Sequence, residues 1–200
     1  MDFEISTPIG SISLRGNSRG AAYVAQDQDA FSAAVDRGNV YHLTAQATVV
    51  TQAGLSATTP ALTIANRAGS GKVVRMWYSG CTTLVVNTAV AAIFAAFGRP
   101  HQTPVVETTA GVLINAKTGD AGPPPGVAGL IVSTLPAAPV AVGILGSGLT
   151  DAPADNQVMA VPWSRWWNGS LQIPERANFS IQTSTAMTLF CDYIFEVVDK

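Results

Sequence analysis

Short runs of alternating apolar and polar residues, each cut off by glycine, proline, asparagine or serine, recur along most of the chain. The clearest example, residues 61–78, contains two such runs separated by a glycine-rich turn at residues 66–71. The alternation places one apolar face on each run, which predicts the two strands of a β-hairpin. Turn residues return roughly every 8–12 positions, a spacing typical of a sandwich or barrel. The sequence therefore predicts an all-β, antiparallel β-sandwich.

The predicted strands occupy most of residues 39–200, which we interpret as one sandwich domain. Prolines flank the runs at 130–134 and 140–145, and since proline cannot donate a hydrogen bond, these two strands are expected at sheet edges. Outside the hairpin, the predicted strands are 41–49, 82–87, 89–97, 103–107, 112–115, 130–134, 140–145, 157–161, 170–173, 178–183 and 187–198.

Residues 1–38 have a different pattern, predicted to form an extended N-terminal arm. Its first part is rich in serine and glycine, and residues 26–37 have the apolar spacing of a short helix that stops at Gly38. Residues 11–14 alternate, so they are suited to add a strand to a neighbour's sheet. The arm begins acidic and has no apolar segment of the kind a signal peptide needs. We expect the arm to dock on a partner through its apolar side chains, Ile5, Ile9, Ile12, Leu14 and Phe31.

The chain carries few charges for its length. Charged residues make up 12% of the sequence, where about 25% is usual, and hydrophobic residues make up 48%. So little charge predicts that partners cover part of the surface, and we expect self-association as a homotrimer. The net charge of −2 predicts no binding to nucleic acid or to an anionic membrane. The uncharged run 76–98 is interrupted by polar residues, so a strand is favoured there over a membrane span.

Motifs for catalysis, cofactors and metals do not stand out from the background. The run 69–72 resembles part of a phosphate-binding loop, but Val73 replaces the required Ser/Thr and a strand is predicted where that motif needs a helix. His42 and His101 have no adjacent nucleophile. Cys81 and Cys191 lack metal-site spacing; they are able to pair in space, although two buried thiols are favoured. We expect no catalytic, cofactor-binding or metal-binding residues and no enzymatic activity.

The segment 163–168, WSRWWN, has the most unusual local composition in the chain. Tryptophan rings bury a large area at low entropic cost, so they anchor interfaces, stack on sugars or cap a core. All three interpretations apply to Trp163, Trp166 and Trp167. An interface is favoured over the core, and the core over a carbohydrate platform.

Two stretches resemble structural proteins of tailed-bacteriophage virions. They are ALTIANRAGSGKVVRMWYSG at 61–80 and GSLQIPERANFSIQTSTAMTLFCDYIFEVVD at 169–199. In each, a strand is combined with a characteristic turn: Asn-x-x-Gly-Ser-Gly-Lys in the first and Ile-Pro-x-x-Ala in the second. The likeness extends loosely over residues 40–198.

The resemblance implies a jelly-roll-like β-sandwich of the head decoration (cement) or head fibre type, commonly trimeric. It implies a capsid decoration protein that binds the major capsid protein or other virion proteins, and it brings no catalytic residues. The protein would be made in the host cytoplasm and then reside on the capsid surface. The alternative is a receptor-binding or carbohydrate-binding module of a phage fibre or tail, in which the tryptophans hold a sugar.

Overall fold

The structure, a computed structural model, describes residues 2–7, 10–16, 22–23, 30–83, 91–120, 122, 124–148 and 162–200. Contacts along the chain divide it into two compact units, Met1–Ala33 and Ala34–Lys200. The strand predicted at 157–161, the predicted anchor Ile9 and parts of the strands predicted at 82–87 and 89–97 lie outside the described residues.

The first unit contains a small antiparallel sheet. Its strands are β1 (Asp2–Thr7), β2 (Gly10–Gly16) and β3 (Ala22–Tyr23), in the order β1-β2-β3. The register of β1 and β2 pairs Ile5 with Ile12. Within this unit Ser11–Leu14 pairs with β1 of its own chain.

The predicted helix over 26–37 is confirmed as α1 (Ala30–Asp36) within the described residues. The helix ends at Gly38, which has a φ of 75°. This left-handed conformation favours glycine, and it lets the Gly38 N–H donate to the carbonyl of Val35 at 2.8 Å. The half-buried Phe31 lies on this helix.

The second unit is an antiparallel β-sandwich, which confirms the predicted fold class. Each of its two sheets contains six of the strands found in the described residues. The strands are β4 (Val40–Thr44), β5 (Val49–Val50), β6 (Thr63–Asn66), β7 (Lys72–Thr83), β8 (Ala91–Gly98), β9 (Val106–Ala110), β10 (Val112–Asn115), β11 (Val127–Thr134), β12 (Val140–Gly148), β13 (Pro162–Ile173), β14 (Asn178–Thr183) and β15 (Thr188–Asp199).

The strand order is that of a jelly roll. One sheet runs β10-β4-β15-β7-β13, with β5 also paired to β15, and the other runs β12-β8-β14-β6-β11-β9. If β4, β6, β7, β8, β12, β13, β14 and β15 are counted as the eight principal strands, the first sheet has the order 1-8-3-6 and the second 5-4-7-2. This is the double Greek key of a jelly roll. The remaining strands, β5, β9, β10 and β11, extend the two sheets.

The core lies between the two sheets and is built from the apolar residues of alternating positions. On β15 the buried and half-buried residues alternate along most of the strand, as expected when one face packs inward. Strand β14 is buried on both faces. Its outward-facing Gln182 exchanges hydrogen bonds with the backbone of Ser56, so a loop of the same chain covers the outer face of this sheet.

The hairpin predicted at 61–78 is wrong, although both of its strands exist. Strand β6 pairs with β11 and β14, whereas β7 pairs with β13 and β15 in the opposite sheet. The turn therefore crosses from one sheet to the other. Asn66 holds the crossing together, because its Nδ2 donates to the carbonyls of Lys72 at 2.9 Å and Ile173 at 3.0 Å.

Two other strand predictions need correction. The strand predicted at 41–49 is divided into β4 and β5. Strand β11 does not lie at an edge, since it pairs with both β6 and β9. Among the described strands, β12 does lie at the edge of its sheet, as the flanking prolines predict.

Candidate functional site

The three tryptophans of β13 point to opposite sides of the sheet because side chains alternate along a strand. Trp163 and Trp167 are buried, with 8% and 7% of their surface exposed, and both belong to the core between the sheets. Trp166 is 57% exposed on the outer face. Of the three interpretations made from the sequence, the core applies to Trp163 and Trp167, and Trp166 alone remains available to a partner or ligand.

The buried tryptophans fill the space beside the neighbouring edge strand β12. Trp163 packs so closely on Gly146 that a Cβ there would overlap the indole ring. Trp167 donates its Nε1–H to Ser79 Oγ at 2.9 Å, and the Arg165 guanidinium lies 4.4 Å from the centre of its ring. The Trp167 Nε1–H therefore has a hydrogen-bond acceptor although the ring is buried, and the contacts hold both rings of β13 in the core.

Trp166 belongs to a row of side chains across the outer face of the first sheet, which we call the aromatic row. The pairings Trp166–Tyr78, Tyr78–Ile194, Ile194–His42 and His42–Ile114 place one residue of each of five strands in this row. Neighbouring strands are about 4.8 Å apart, so the row extends over about 19 Å. Ile114 at one end is 41% exposed. At the other end, the rings of Tyr78 and Trp166 lie 5.0 Å apart at 57°.

A second row lies beside the first and contains a depression. Here Ser164, Gly80, Asp192 and Thr44 occupy adjacent strands. A Cβ on Gly80 would overlap the Tyr78 hydroxyl and would lie 2.8 Å from Asp192 Oδ1, so only glycine lets these two side chains meet over the strand. The adjoining cavity of about 350 Å³, which we call the outer-face cavity, is lined by Thr44, Tyr78, Cys81, Thr82, Pro162, Phe190, Cys191 and Asp192.

Burial governs the titration of the acidic and phenolic groups at this cavity. It raises the pKa of Asp192 above its ordinary value, and the nearby His42 acts in the opposite direction. Burial and the Asp192 charge raise the pKa of Tyr78, while a hydrogen bond with Ser164 lowers it. Tyr78 therefore stays a neutral phenol at physiological pH. The site presents aromatic surface with a carboxyl group and hydroxyl groups beside it.

Three charged residues lie beside the aromatic row on one side of the outer face. Glu196 is only 2% exposed and accepts a hydrogen bond from Arg37 at 3.0 Å. Arg75 lies 4.0 Å from its other carboxylate oxygen. This buried acid with its two arginines marks the limit of the aromatic row on that side.

The other residues considered from the sequence lie apart from this site. His101 is in the loop after β8, where its Nδ1 accepts the N–H of Thr103 at 3.0 Å. Lys72 begins β7 and forms an ion pair with Asp199, so the glycine-rich run is followed by a strand, as predicted. Glu175 accepts the N–H of Gly71 at 2.8 Å.

Within the described residues, no group of three or more His, Cys, Asp or Glu side chains is arranged to hold a metal ion. None of the helices in that part of the chain has the length and apolar character needed to cross a membrane.

Sequence reasoning missed Tyr78, Asp192 and His42 as members of the site. The sequence contains one local indication of the site. Positions 78, 80 and 82 alternate with the core positions of the same strand, so they are expected to face outward. That signal says which residues face outward, but it does not say which strands lie side by side.

Comparisons of the chain with protein-family models, with curated proteins and with solved structures find no match. The site is therefore interpreted from its own geometry.

Proposed function

We propose that this protein is a non-enzymatic virion structural protein, in particular a capsid decoration protein that attaches to the head shell through the aromatic row. The observation that carries the proposal is the aromatic row on the outer face of a jelly roll with little charge. Its two ends, Ile114 and Trp166, are exposed, and the three residues between them are half-buried. The sequence resemblance to tailed-bacteriophage virion proteins supplies the class of partner.

The chemistry of the row suits docking to another protein. Trp166 and Tyr78 offer large rings, and aromatic residues of this kind contribute most strongly to protein interfaces. Tyr78 is on β7, inside the first sheet, and Trp166 is on β13, at the end of its strand order. Because both strands are already ordered, binding should cost little conformational entropy. Removing apolar surface from water stabilises a complex by about 25 cal/mol per Å². The Trp166 side chain is 57% exposed, so we expect it to contribute strongly to the binding free energy when a partner covers it.

The row contains one titratable imidazole, His42, and one phenol, Tyr78, and the carboxyl group of Asp192 lies in the next row. Attachment through such a surface depends mainly on apolar contact, so it should depend only weakly on salt. A surface that bound its partner through charge would show the opposite behaviour.

The proposal is tested by co-sedimentation with undecorated heads of the phage that encodes the chain. We expect wild-type protein to sediment with the heads and Trp166→Ala to lose at least about tenfold in affinity, as for an interface hot spot. Ile144→Ala is the matched control, because Ile144 is a 64% exposed apolar residue of the other sheet. Equal binding by wild type and Trp166→Ala would refute attachment through the aromatic row, and no binding by wild type would refute the decoration role.

Light scattering of the same proteins tests the proposed homotrimer. A trimer that persists in Trp166→Ala assigns the row to the shell, whereas a monomeric variant assigns it to the sister subunits. A monomeric wild type at micromolar concentration would refute self-association.

The alternative function is a carbohydrate-binding module, and one observation favours it. The Trp166–Tyr78 pair lies beside the outer-face cavity, where Asp192, Thr44 and Ser164 provide hydrogen-bonding groups. Aromatic rings next to polar groups are suited to the apolar and hydroxyl faces of a sugar. Binding to a glycan array that is lost in both Trp166→Ala and Asp192→Ala, without binding to heads, would support this alternative.

A further inference from the structure

Cys81 and Cys191 lie directly opposite each other in the middle of the first sheet. Cys81 is on β7 and Cys191 on β15, and the antiparallel register makes them partners. Both are buried, with 5% and 1% of their surface exposed, and both are free thiols.

Backbone hydrogen bonding shows which kind of cross-strand pair they form. The Cys191 carbonyl accepts the N–H of Ala45 at 3.0 Å, on the side where β4 lies. The N–H and C=O of one residue in an antiparallel strand point to the same side, so Cys191 makes no ladder bonds towards β7. Cys81 and Cys191 are therefore a non-hydrogen-bonded pair, for which the Cα–Cα distance is about 4.5 Å.

This geometry suits a covalent bridge. A disulfide needs Cα atoms about 4.4–6.8 Å apart and side chains on the same face. Direct register partners on one face of a sheet meet both requirements without movement of the backbone. The chain between the two residues is about 110 positions long and includes most of the jelly roll.

We infer that Cys81 and Cys191 are an oxidation site, at which a hydroperoxide converts the two thiols of the folded protein into one disulfide bond joining β7 to β15. This role is independent of the proposed attachment to a head shell.

The reaction balances with one molecule of hydrogen peroxide. The thiolate of one cysteine attacks a peroxide oxygen, the O–O bond breaks, and a sulfenic acid forms as hydroxide leaves. The second thiol then attacks the sulfenic sulfur, the S–S bond forms and water leaves. The two protein sulfurs lose two electrons in total, and the peroxide is reduced to two molecules of water.

The surroundings indicate which thiol reacts first. Contact with the Cys81 thiol and burial raise the pKa of Cys191 well above its ordinary value. Cys81 is the more exposed of the two, so it is the expected site of the sulfenic acid. Both side chains belong to the core between the sheets, on the face opposite to that of Thr82 and Phe190, so the reaction takes place on the inner face of the sheet.

The test treats reduced, folded wild-type protein with hydrogen peroxide and measures the intact mass and the number of free thiols. We expect a mass lower by two hydrogen atoms, no free thiols and full recovery of both on addition of dithiothreitol. Urea unfolding should then show an equilibrium constant for unfolding lower by about a hundredfold in the oxidised form, because the bond closes a long loop.

Two variants serve as controls. In Cys191→Ser the remaining thiol should gain oxygen in place of losing hydrogen. The double variant Cys81→Ala with Thr82→Cys keeps two cysteines but moves one to the outer face, where its register partner is Phe190, so it should form no internal bridge.

The inference is overturned if folded wild-type protein keeps both thiols or only gains oxygen. It is also overturned if the bridge forms only in denaturant. These results concern the wild-type chain, so they hold even if a variant fails to fold.

Discussion

Replacing Asn66 should weaken the connection between the two sheets. The side chain is 1% exposed at the end of β6, and its Nδ2 donates to two carbonyls of the opposite sheet, those of Lys72 and Ile173. Its Oδ1 accepts the Ser70 hydroxyl at 2.7 Å. Asn66→Ala removes all three bonds and leaves two carbonyls without their partner.

The expected loss follows from the environment of each carbonyl. A buried acceptor left unsatisfied costs about 1–3 kcal/mol, and the Ile173 carbonyl is in a buried contact. The Lys72 carbonyl is only partly buried, so water can replace part of its bond. We therefore expect Asn66→Ala to lower the free energy of unfolding by about 2–4 kcal/mol, a large part of the 5–15 kcal/mol of an ordinary domain.

Urea unfolding followed by circular dichroism measures this change, and the slope with denaturant should stay the same. Ser70→Ala is the matched control, because it leaves both bonds from Asn66 Nδ2 in place. It removes the bond to Oδ1 and the bond that Ser70 Oγ accepts from the N–H of Lys72 at 3.2 Å, and it should cost about 1 kcal/mol. Asn66→Asp keeps the shape of the side chain, but it replaces the Nδ2 donor with a carboxylate oxygen that faces the carbonyls of Lys72 and Ile173. Since the folded state raises the pKa of that carboxyl, the variant should recover stability as the pH falls and lose it as the pH rises. A loss below about 1 kcal/mol for Asn66→Ala would refute the role of the amide.

Three further predictions concern the tryptophans of β13 and the outer face. Trp167→Ala should lower the free energy of unfolding by about 3–5 kcal/mol and Trp166→Ala by less than about 0.5 kcal/mol, measured in urea; similar losses would contradict their opposite orientations. Burial raises the pKa of Asp192, so wild-type protein should lose stability relative to Asp192→Asn as the pH rises through the folded-state pKa, and the two should converge well below pH 4. Thermal midpoints between pH 3 and 8 check this, and a less stable Asp192→Asn at neutral pH would count against it. Gly80→Ala should displace the Tyr78 hydroxyl and weaken binding at the outer face while the fold is kept; unchanged binding would show that this hydroxyl position is unimportant.

Much of the secondary structure was predictable because strand formation leaves a local signature. Residues 178–183 form β14 with the predicted bounds, and 187–198 nearly coincide with β15. The helix stop at Gly38 was also visible, since the left-handed backbone there favours glycine. The hairpin at residues 61–78 was wrong for a physical reason: a glycine-rich turn looks the same whether its two strands pair with each other or cross between sheets.

The sequence by itself determined that the chain forms short antiparallel strands, that they pack as a sandwich and that one tryptophan-rich segment is unusual. Only the tertiary structure decided which strands are neighbours, because pairing depends on contacts between residues far apart in the chain. That choice places Trp166 next to Tyr78, Asp192 over Gly80 and Cys81 opposite Cys191. Alternation along a single strand says which side a residue faces, whereas a site built from four or five strands exists only after the sheet has formed.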